Sequence, residues 1–274
     1  MIKRFSLCLL LLLLTACGKS DDGAWLGYGE GDNAFIAAPQ PGWVSSLHVE
    51  RGAFVHRGDL LFTLDDTAQV ASRDQAVAAL TNAKASLAQE QANLAYAQMQ
   101  LTRQTGLARA HAGTPTDLDL ARSNYRQSQA RIAQLQSQIA QMNASLSGAT
   151  YSLTQRNVVA QTEGRVQDIY FRPGEYVPAS TPVLSVLPPK NIYVRFFVPE
   201  TQFSKVHIGQ KVRVTCDGCQ PMTAEISFIA QQEEFTPPVV FSEDSRTKLV
   251  FKLEARMPGG MKLNPGQPVQ VRPL

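Results

Sequence analysis

Two cysteines separated by two residues are the groups whose type and spacing most directly suggest chemistry. Cys216 and Cys219 flank Asp217-Gly218, a dipeptide typical of tight hairpin turns, and β-type runs lie on both sides. The first and fourth residues of such a turn lie within about 7 Å of each other, which favours a disulfide. The alternatives are a redox-active CxxC, which normally begins a helix, a metal site, which needs two further ligands, and a pair of free thiols.

Groups suited to catalysis do not occur together in the sequence. The histidines are scattered, and no titratable pair has the spacing of a nucleophile with its base or of metal ligands. Nothing resembles a phosphate-binding loop. The sequence therefore predicts no enzyme, no cofactor and no metal centre. The histidines in question are His48, His56, His111 and His207.

The N-terminal residues contain another candidate, Cys17. A short basic start precedes a leucine-rich apolar run that is too short to span a bilayer. The run ends in Leu14-Thr15-Ala16-Cys17, which resembles the lipobox of bacterial lipoproteins; an ordinary cleaved signal peptide is the alternative. We expect residues 1–16 to be a signal peptide and Cys17 to be acylated. Residues 17–35 would be the acylated N-terminus and a flexible tether, because 19–31 is rich in Gly, Asp and Ser.

The charge balance excludes one class of partner. Lys and Arg together number 26 against 23 Asp and Glu, and the loss of Lys3 and Arg4 with the signal leaves a net charge of +1. Such a balance gives no reason to expect a nucleic-acid partner. The remaining sequence has no apolar stretch of membrane-spanning length either.

The overall arrangement is indicated by a sequence repeat whose two halves are separated by a long insertion. Each repeat half is too short to bury a sheet face alone, so residues 36–66 and 158–188 are predicted to join as one β-sandwich. The residues between them must then project outward. The matching positions, at one constant offset, are Gly42, Val44, Leu47, Gly52 and Val55 against Gly164, Val166, Ile169, Gly174 and Val177.

The projecting segment, residues 67–157, has apolar residues at heptad spacing in two arms. Such a sustained repeat predicts a coiled coil, and the break at Gly113–Asp117 predicts that the arms fold back antiparallel over about 60 Å. The first arm, 69–111, carries Leu80, Leu87, Leu94 and Leu101, with Ala83 and Ala97. The second carries Leu118, Tyr125, Ile132, Ile139, Leu146 and Leu153, with Ala121, Ser128, Leu135, Met142 and Ala149.

From residue 189 onward, several short strands with turn signals between them predict a small β-barrel over 189–274. The expected strands are Ile192–Val198, Lys211–Thr215, Met222–Ala230, Lys248–Ala255 and Pro268–Val271, with a short helix over Pro199–Val206. The predicted fold class is therefore α+β and elongated. An antiparallel coiled-coil α-hairpin is inserted in a β-sandwich, and a β-barrel follows.

The split repeat, beginning Ala38-Pro39-Gln40-Pro41-Gly42-Trp43-Val44, resembles the two halves of a lipoyl/biotinyl-type domain. The modifiable Lys of such domains is missing between Gly42 and Leu64 and between Gly164 and Leu187, so a swinging-cofactor role is not expected. A lipoyl-like domain interrupted by a coiled-coil hairpin and followed by a barrel resembles the HlyD-type membrane fusion, or periplasmic adaptor, family.

Two further stretches extend the resemblance. Arg103, Leu107 and Thr114 resemble the family's hairpin-tip motif R-x3-L-x6-S, which binds a TolC-like outer-membrane channel, with Thr in place of Ser. Glu234-Phe235-Thr236-Pro237-Pro238 and Arg246-Thr247-Lys248-Leu249-Val250-Phe251 resemble a pattern of adaptors that serve ABC exporters. Adaptors of RND pumps usually continue into a fourth domain beyond the barrel, and the sequence to Leu274 has no length for one.

The resemblance implies a non-enzymatic adaptor subunit of a tripartite efflux or secretion system. It would join an inner-membrane ABC transporter to a TolC-like channel in the periplasm, as a homo-oligomer, expected to be a hexamer. The alternatives are an adaptor of an RND-type pump and a metal-binding periplasmic lipoprotein that uses Cys216 and Cys219. We expect the lipid anchor in the inner membrane, where the base must meet the transporter. Gly18 after Cys17 leaves the outer membrane open, because lipoproteins retained at the inner membrane commonly have Asp there.

Overall fold

A computed structural model describes residues 23–235 and 249–274. They form two compact units. One holds residues 35–161 and 168–184, and the other holds residues 23–34, 162–167, 185–235 and 249–274. The expected signal peptide, Cys17 and Gly18 lie outside the described residues, as do 236–248 with parts of the two exporter-related stretches.

Eight strands form two four-stranded sheets in which both repeat halves take part. One sheet has the order β2-β9-β7-β4 and the other β6-β5-β3-β8, so each sheet contains two strands from before the helices and two from after them. The strands are β2 Ala34–Ala37, β3 Gly42–Leu47, β4 Phe54–Val55, β5 Leu60–Leu64, β6 Asn157–Val159, β7 Gly164–Ile169, β8 Tyr176–Val177 and β9 Pro182–Leu187.

The repeated residues serve the same purposes in both halves. Val44 and Val166, and likewise Val55 and Val177, are at most 2% exposed. Gly52 and Gly174 have φ of +84° and +89°, a left-handed conformation that side chains with a Cβ adopt at a cost. The two halves therefore share both the positions of their core residues and the geometry of their turns.

The segment between the halves forms two long helices, α1 Thr67–Arg109 and α2 Pro115–Thr154. The predicted heptad positions are its least exposed residues, because each faces the other helix. Those that are buried are Leu80, Ala83 and Ala97 on α1, and Ala121 and Leu135 on α2. The antiparallel hairpin predicted from the heptads is confirmed.

A buried arginine holds the end of α2 to the sandwich. The Arg156 side chain is 8% exposed, and its Nη1 donates to the carbonyl oxygen of Pro41 at 2.9 Å. Its backbone oxygen accepts from Leu64 N at 2.9 Å. A Cβ on Gly42 would lie 2.6 Å from Arg156 Nη1, so the guanidinium passes over a position that only glycine leaves open.

The remaining strands close a six-stranded barrel in the order β1-β10-β13-β12-β11-β14. Its inward side chains, such as Phe196, Val212, Leu253 and Val271, are fully buried. The elements are β1 Trp25–Gly31, β10 Ile192–Pro199, α3 Glu200–Phe203, β11 Lys211–Thr215, β12 Met222–Phe235, β13 Leu249–Arg256 and β14 Pro268–Pro273. The predicted helix over Pro199–Val206 is thus reduced to four residues, and β12 runs five residues beyond Ala230.

The prediction of a flexible tether over 19–31 is wrong for Trp25–Gly31, which is the first strand of the barrel. Trp25 is 5% exposed and stacks on Phe196 with ring centroids 5.7 Å apart. A Cβ on Gly27 would lie 2.6 Å from Phe196 Cβ. Gly27, which helped to suggest a linker, is required here because β1 and β10 approach closely.

Candidate docking site at the hairpin tip

The hairpin tip is a short, hydrogen-bonded turn between α1 and α2. Ala110 N donates to Gly106 O at 3.1 Å and Ala112 N to Leu107 O at 2.9 Å, which satisfies carbonyls at the end of α1. His111 has a φ of +54°, the left-handed conformation that reverses the chain after a helix. The turn is therefore a defined structure that presents its neighbours in fixed positions.

Thr114 caps the N-terminus of α2. Its Oγ1 accepts from Asp117 N at 3.1 Å and donates to Asp117 Oδ2 at 2.6 Å. Pro115 occupies the first helical position, where its missing N–H leaves no partner unsatisfied. The Thr114 hydroxyl is thus already engaged within the chain, although its side chain is exposed.

Arg103 and Leu107 lie one helical turn apart on α1, so their side chains share one face. Leu107 remains 38% exposed, and a Cβ on Gly113 would lie 3.2 Å from Leu107 Cβ, which brings the turn against this leucine. Arg103 is exposed, and no described residue forms a salt bridge or side-chain hydrogen bond with it. The tip therefore offers an unpaired guanidinium beside an exposed aliphatic side chain.

Two further exposed side chains continue this face, and the sequence analysis did not identify them. Tyr96 and Met99 are each 62% exposed. With Arg103 and Leu107 they follow the spacing i, i+3, i+7 and i+11, which keeps them on one side of α1. The sequence contains a signal for both residues, because they are large side chains at positions outside the heptad seam.

The two cysteines lie in the loop between β11 and β12. They form a disulfide with Cα atoms 5.4 Å apart, and Gly218 has a φ of +78°. The strands pair antiparallel, with Val214 opposite Met222. No group of three or more His, Cys, Asp or Glu residues that could hold a metal ion occurs within 23–235 and 249–274.

A charged cluster on the barrel contains the described residues whose pKa values are shifted most, Arg195 and Tyr193. Arg195 pairs with Glu30 at 2.7 Å and with Glu254 at 3.0 Å. Burial alone would lower the pKa of Arg195, but hydrogen bonds to Glu254 and Tyr28 outweigh it and raise the pKa. Burial, followed by the charge of Glu254, raises the pKa of Tyr193 to about 12.

Comparisons with known proteins bear on this architecture. No protein-family model matches the chain. The UPF0194 membrane protein YbhG of Salmonella arizonae is 28% identical over an alignment of 300 positions. The alignment covers 93% of this chain and 89% of that protein. The crystal structure of MacA from Actinobacillus actinomycetemcomitans matches with a TM-score of 0.69 at 21% identity, over 91% of this chain and 77% of MacA.

The membrane fusion protein Spr0693 from Streptococcus pneumoniae R6 matches with a TM-score of 0.54 at 16% identity, over 92% of this chain and 98% of that one. The chain has the fold of a membrane fusion protein. The resemblance predicted from the split repeat, the hairpin and the barrel is thereby confirmed. None of the helices within the described residues is long and apolar enough to cross a membrane.

Proposed function

We propose that this chain is a non-enzymatic periplasmic adaptor that links an inner-membrane transporter to a TolC-like outer-membrane channel. The observation that carries the proposal is the tip of the hairpin. Arg103 is exposed and unpaired among the described residues, and Leu107 is half-exposed beside it. A guanidinium has several donors for backbone carbonyls and carboxylates of a helical partner, and the leucine supplies an apolar anchor.

For the transporter, we propose an ABC exporter. The supporting residues are the ends of β12 and β13, which belong to the two exporter-related stretches. Phe235 pairs with Leu249 and Glu234 with Val250, so the described ends of the two stretches lie opposite each other on neighbouring strands. Co-purification of the chain with an ATPase-bearing partner tests this choice, and co-purification with an RND pump instead would contradict it.

We propose further that copies of the hairpin pack side by side, in a hexamer by family resemblance. The composition of the outer helix faces supports this assembly. Residues 91–102 of α1 and 132–154 of α2 contain no Asp, Glu, Lys or Arg. Charge depletion is typical of the centres of protein interfaces, whereas an isolated exposed hairpin normally carries many charges.

Acylated Cys17 is the proposed anchor, in the inner membrane. The chain enters the barrel at Trp25, eight residues after Cys17, which is a reach of at most about 28 Å. Replacing residues 1–17 by an ordinary cleavable signal peptide should release the protein from the membrane fraction, whereas globomycin, which blocks cleavage before the modified cysteine, should make the uncleaved precursor accumulate. Fractionation of the wild type distinguishes the inner from the outer membrane.

The decisive experiment substitutes the tip. Arg103→Asp and Leu107→Asp should each abolish export and cross-linking to the channel, because both replace a matched contact by a carboxylate. Matched controls on the same hairpin are Arg131→Asp, about 24 Å along α2 from Pro115, and Val77→Asp, near the start of α1. The controls should retain export, and circular dichroism should show all four variants folded. Normal export by both tip variants would contradict the tip assignment.

Thr114 needs a separate variant because its hydroxyl also caps α2. Thr114→Asn keeps a side chain that is well suited to an N-cap but replaces the hydroxyl by an amide. If Thr114 contacts the channel, cross-linking should fall while the free energy of unfolding stays within about 0.5 kcal/mol of the wild type. Unchanged cross-linking would leave Thr114 with the capping role alone.

A further inference from the structure

A cavity of about 630 Å³ opens on the outer surface of the barrel, over β1 and β14. Its floor contains Leu26 and Tyr28 of β1, paired with Gln270 and Pro268 of β14. These side chains point away from the barrel core, since their neighbours Trp25, Val269 and Val271 are buried. The volume lies within the range of small-molecule sites, and the lining combines aliphatic, aromatic and a few polar groups, as such sites do.

The disulfide forms one wall of this cavity. Thr215, Cys216 and Asp217 line it from the loop between β11 and β12. Besides the bond to Cys219, Cys216 Sγ accepts a hydrogen bond from Gln267 Nε2 at 3.3 Å. A disulfide across four residues fixes the loop conformation, and the Gln267 contact ties that loop to the neighbouring one. The wall is therefore rigid in the unliganded protein, which lowers the ordering cost of binding.

The opposite side of the lining is also held in place. Gly266, in the loop before β14, donates its N–H to Gly29 O at 2.8 Å, which fixes this loop to β1. The Tyr28 hydroxyl is hydrogen-bonded to Arg195, and the Tyr28 ring lies 6.3 Å from that of Phe197. The Tyr28 ring is thus a fixed surface of the cavity, already connected to the charged cluster of the barrel.

The charge of the lining selects the class of ligand. Asp217 carries the only charge among the described residues that line the cavity. Arg213 and Arg272 occupy the next outward positions on β11 and β14, where they pair with each other in register, but they do not line the cavity. A carboxylate beside an aromatic ring and aliphatic groups is complementary to a cation with an apolar body.

We infer that this cavity binds a small organic cation with an aromatic or aliphatic body, with Asp217 as its counter-ion. The cysteine pair then has a definite role, which is to hold Asp217 over the floor formed by Leu26 and Tyr28. The inference goes beyond adaptor function and is independent of it, because binding at the barrel requires neither the transporter nor the channel. A cargo or an effector of the export system would share this chemistry.

The test is a titration of the purified full chain with rhodamine 6G, a fluorescent aromatic cation, followed by fluorescence anisotropy. Fluorescein, an anion of similar size, is the matched probe. Rhodamine 6G should bind saturably with one site per chain, and fluorescein should bind at least tenfold more weakly. Asp217→Asn should weaken rhodamine 6G about fivefold, the effect of one solvent-screened ion pair. Glu200→Gln, an exposed carboxylate on α3 outside the cavity, should leave binding unchanged.

Two more variants test the floor and the wall. Leu26→Ala removes an exposed apolar side chain with little effect on folding, and Cys216→Ser/Cys219→Ser releases the loop that carries Asp217. Both should weaken rhodamine 6G, and thermal unfolding reports whether each variant is folded. Equal binding of both dyes, no effect of Asp217→Asn, or no saturable binding at all would overturn the inference. Loss of dye binding on self-association, seen by sedimentation, would also overturn it by assigning the cavity to a second copy.

Discussion

At the scale of single residues, Tyr193 and its neighbours connect three strands of the barrel. Arg256 stacks over the Tyr193 ring with its Cζ 4.3 Å from the centroid, and it pairs with Asp32 at 3.1 Å. Arg195 Nη2 donates to the Tyr193 hydroxyl at 3.1 Å. The phenol is 3% exposed and lies close to the carboxylate of Glu254, so its ionised form is disfavoured.

This environment predicts the pH dependence of stability at the alkaline end. The pKa of Tyr193 is about 12 in the folded protein and about 10 in the unfolded chain, so the unfolded chain loses the phenolic proton first. The contribution of Tyr193 to the free energy of unfolding is complete below pH 10 and is lost as the pH rises to about 12. Denaturant titrations across this range, with phenolate absorbance as a second readout, measure both effects.

The control for this prediction is Tyr193→Phe, which keeps the ring under Arg256 but removes the ionisable group. The late phenolate component should disappear, and the decline in stability between pH 10 and 12 should become shallower. An unchanged titration in Tyr193→Phe would mean that another of the tyrosines carries the raised pKa.

Sequence patterns identified the tip residues and the cysteine pair because each depends on local spacing. Arg103 and Leu107 are one helical turn apart in any helix, and the turn between Cys216 and Cys219 is contained in four residues. The Tyr193 cluster could not be found in the same way. Its members come from strands far apart in sequence, and only the register of β1, β10 and β13 brings them together.

At the scale of elements, the two glycines that begin the repeat halves are explained by different obstacles. A Cβ on Gly42 would meet the Arg156 guanidinium, which is the end of a flexible side chain. A Cβ on Gly164 would meet the backbone carbonyl of Leu187, which cannot move without disturbing β9. The same sequence signal therefore marks two unlike contacts.

This difference predicts how substitutions combine. Gly42→Ala and Arg156→Ala should each lower the free energy of unfolding by about 2 kcal/mol, through overpacking and through loss of the bond to Pro41 O. The double variant should lose at least about 1 kcal/mol less than the sum of the two single losses, because the guanidinium that a Cβ at position 42 would meet is no longer there. Gly164→Ala should lower the free energy of unfolding more than Gly42→Ala does. When Gly164→Ala is combined with Arg156→Ala, the two losses should add. Denaturant unfolding of the five variants measures this, and additive costs for Gly42 and Arg156 would contradict it.

The helices, whose apolar residues recur at a regular spacing, can be predicted from the sequence. Strand β1, which mixes glycines with apolar residues, cannot. The hairpin helices follow from heptads, since a 3.5-residue repeat has few other solutions. Strand β1 was assigned to a tether because Gly27, Gly29 and Gly31 suggested flexibility. Only the folded chain reveals what these glycines leave room for: Gly27 faces β10, Gly29 faces Asn264 and Gly31 faces Leu187.

At the scale of the whole molecule, the hairpin is inserted where two neighbouring strands meet. Strand β5 precedes α1 and strand β6 follows α2, and they pair antiparallel with Thr63 opposite Asn157. Paired residues in an antiparallel ladder have Cα atoms about 5 Å apart. The sheet therefore needs only a short connection at this point, and the hairpin is not required to close it.

Replacing residues 67–154 by a four-residue Gly/Ser turn should therefore leave the sandwich and the barrel folded. The helical circular dichroism signal should disappear while the β signal and a cooperative thermal transition remain, because the buried valines of both halves are all retained. This variant should stay attached to the membrane but lose cross-linking to the channel. A matched variant that lacks residues 158–188 keeps the hairpin but loses most of β6 and all of β7, β8 and β9, so its sandwich should not fold. Loss of tertiary structure in the first variant would mean that the two repeat halves depend on the hairpin to find each other, and the hairpin would then be a folding element as well as a docking arm.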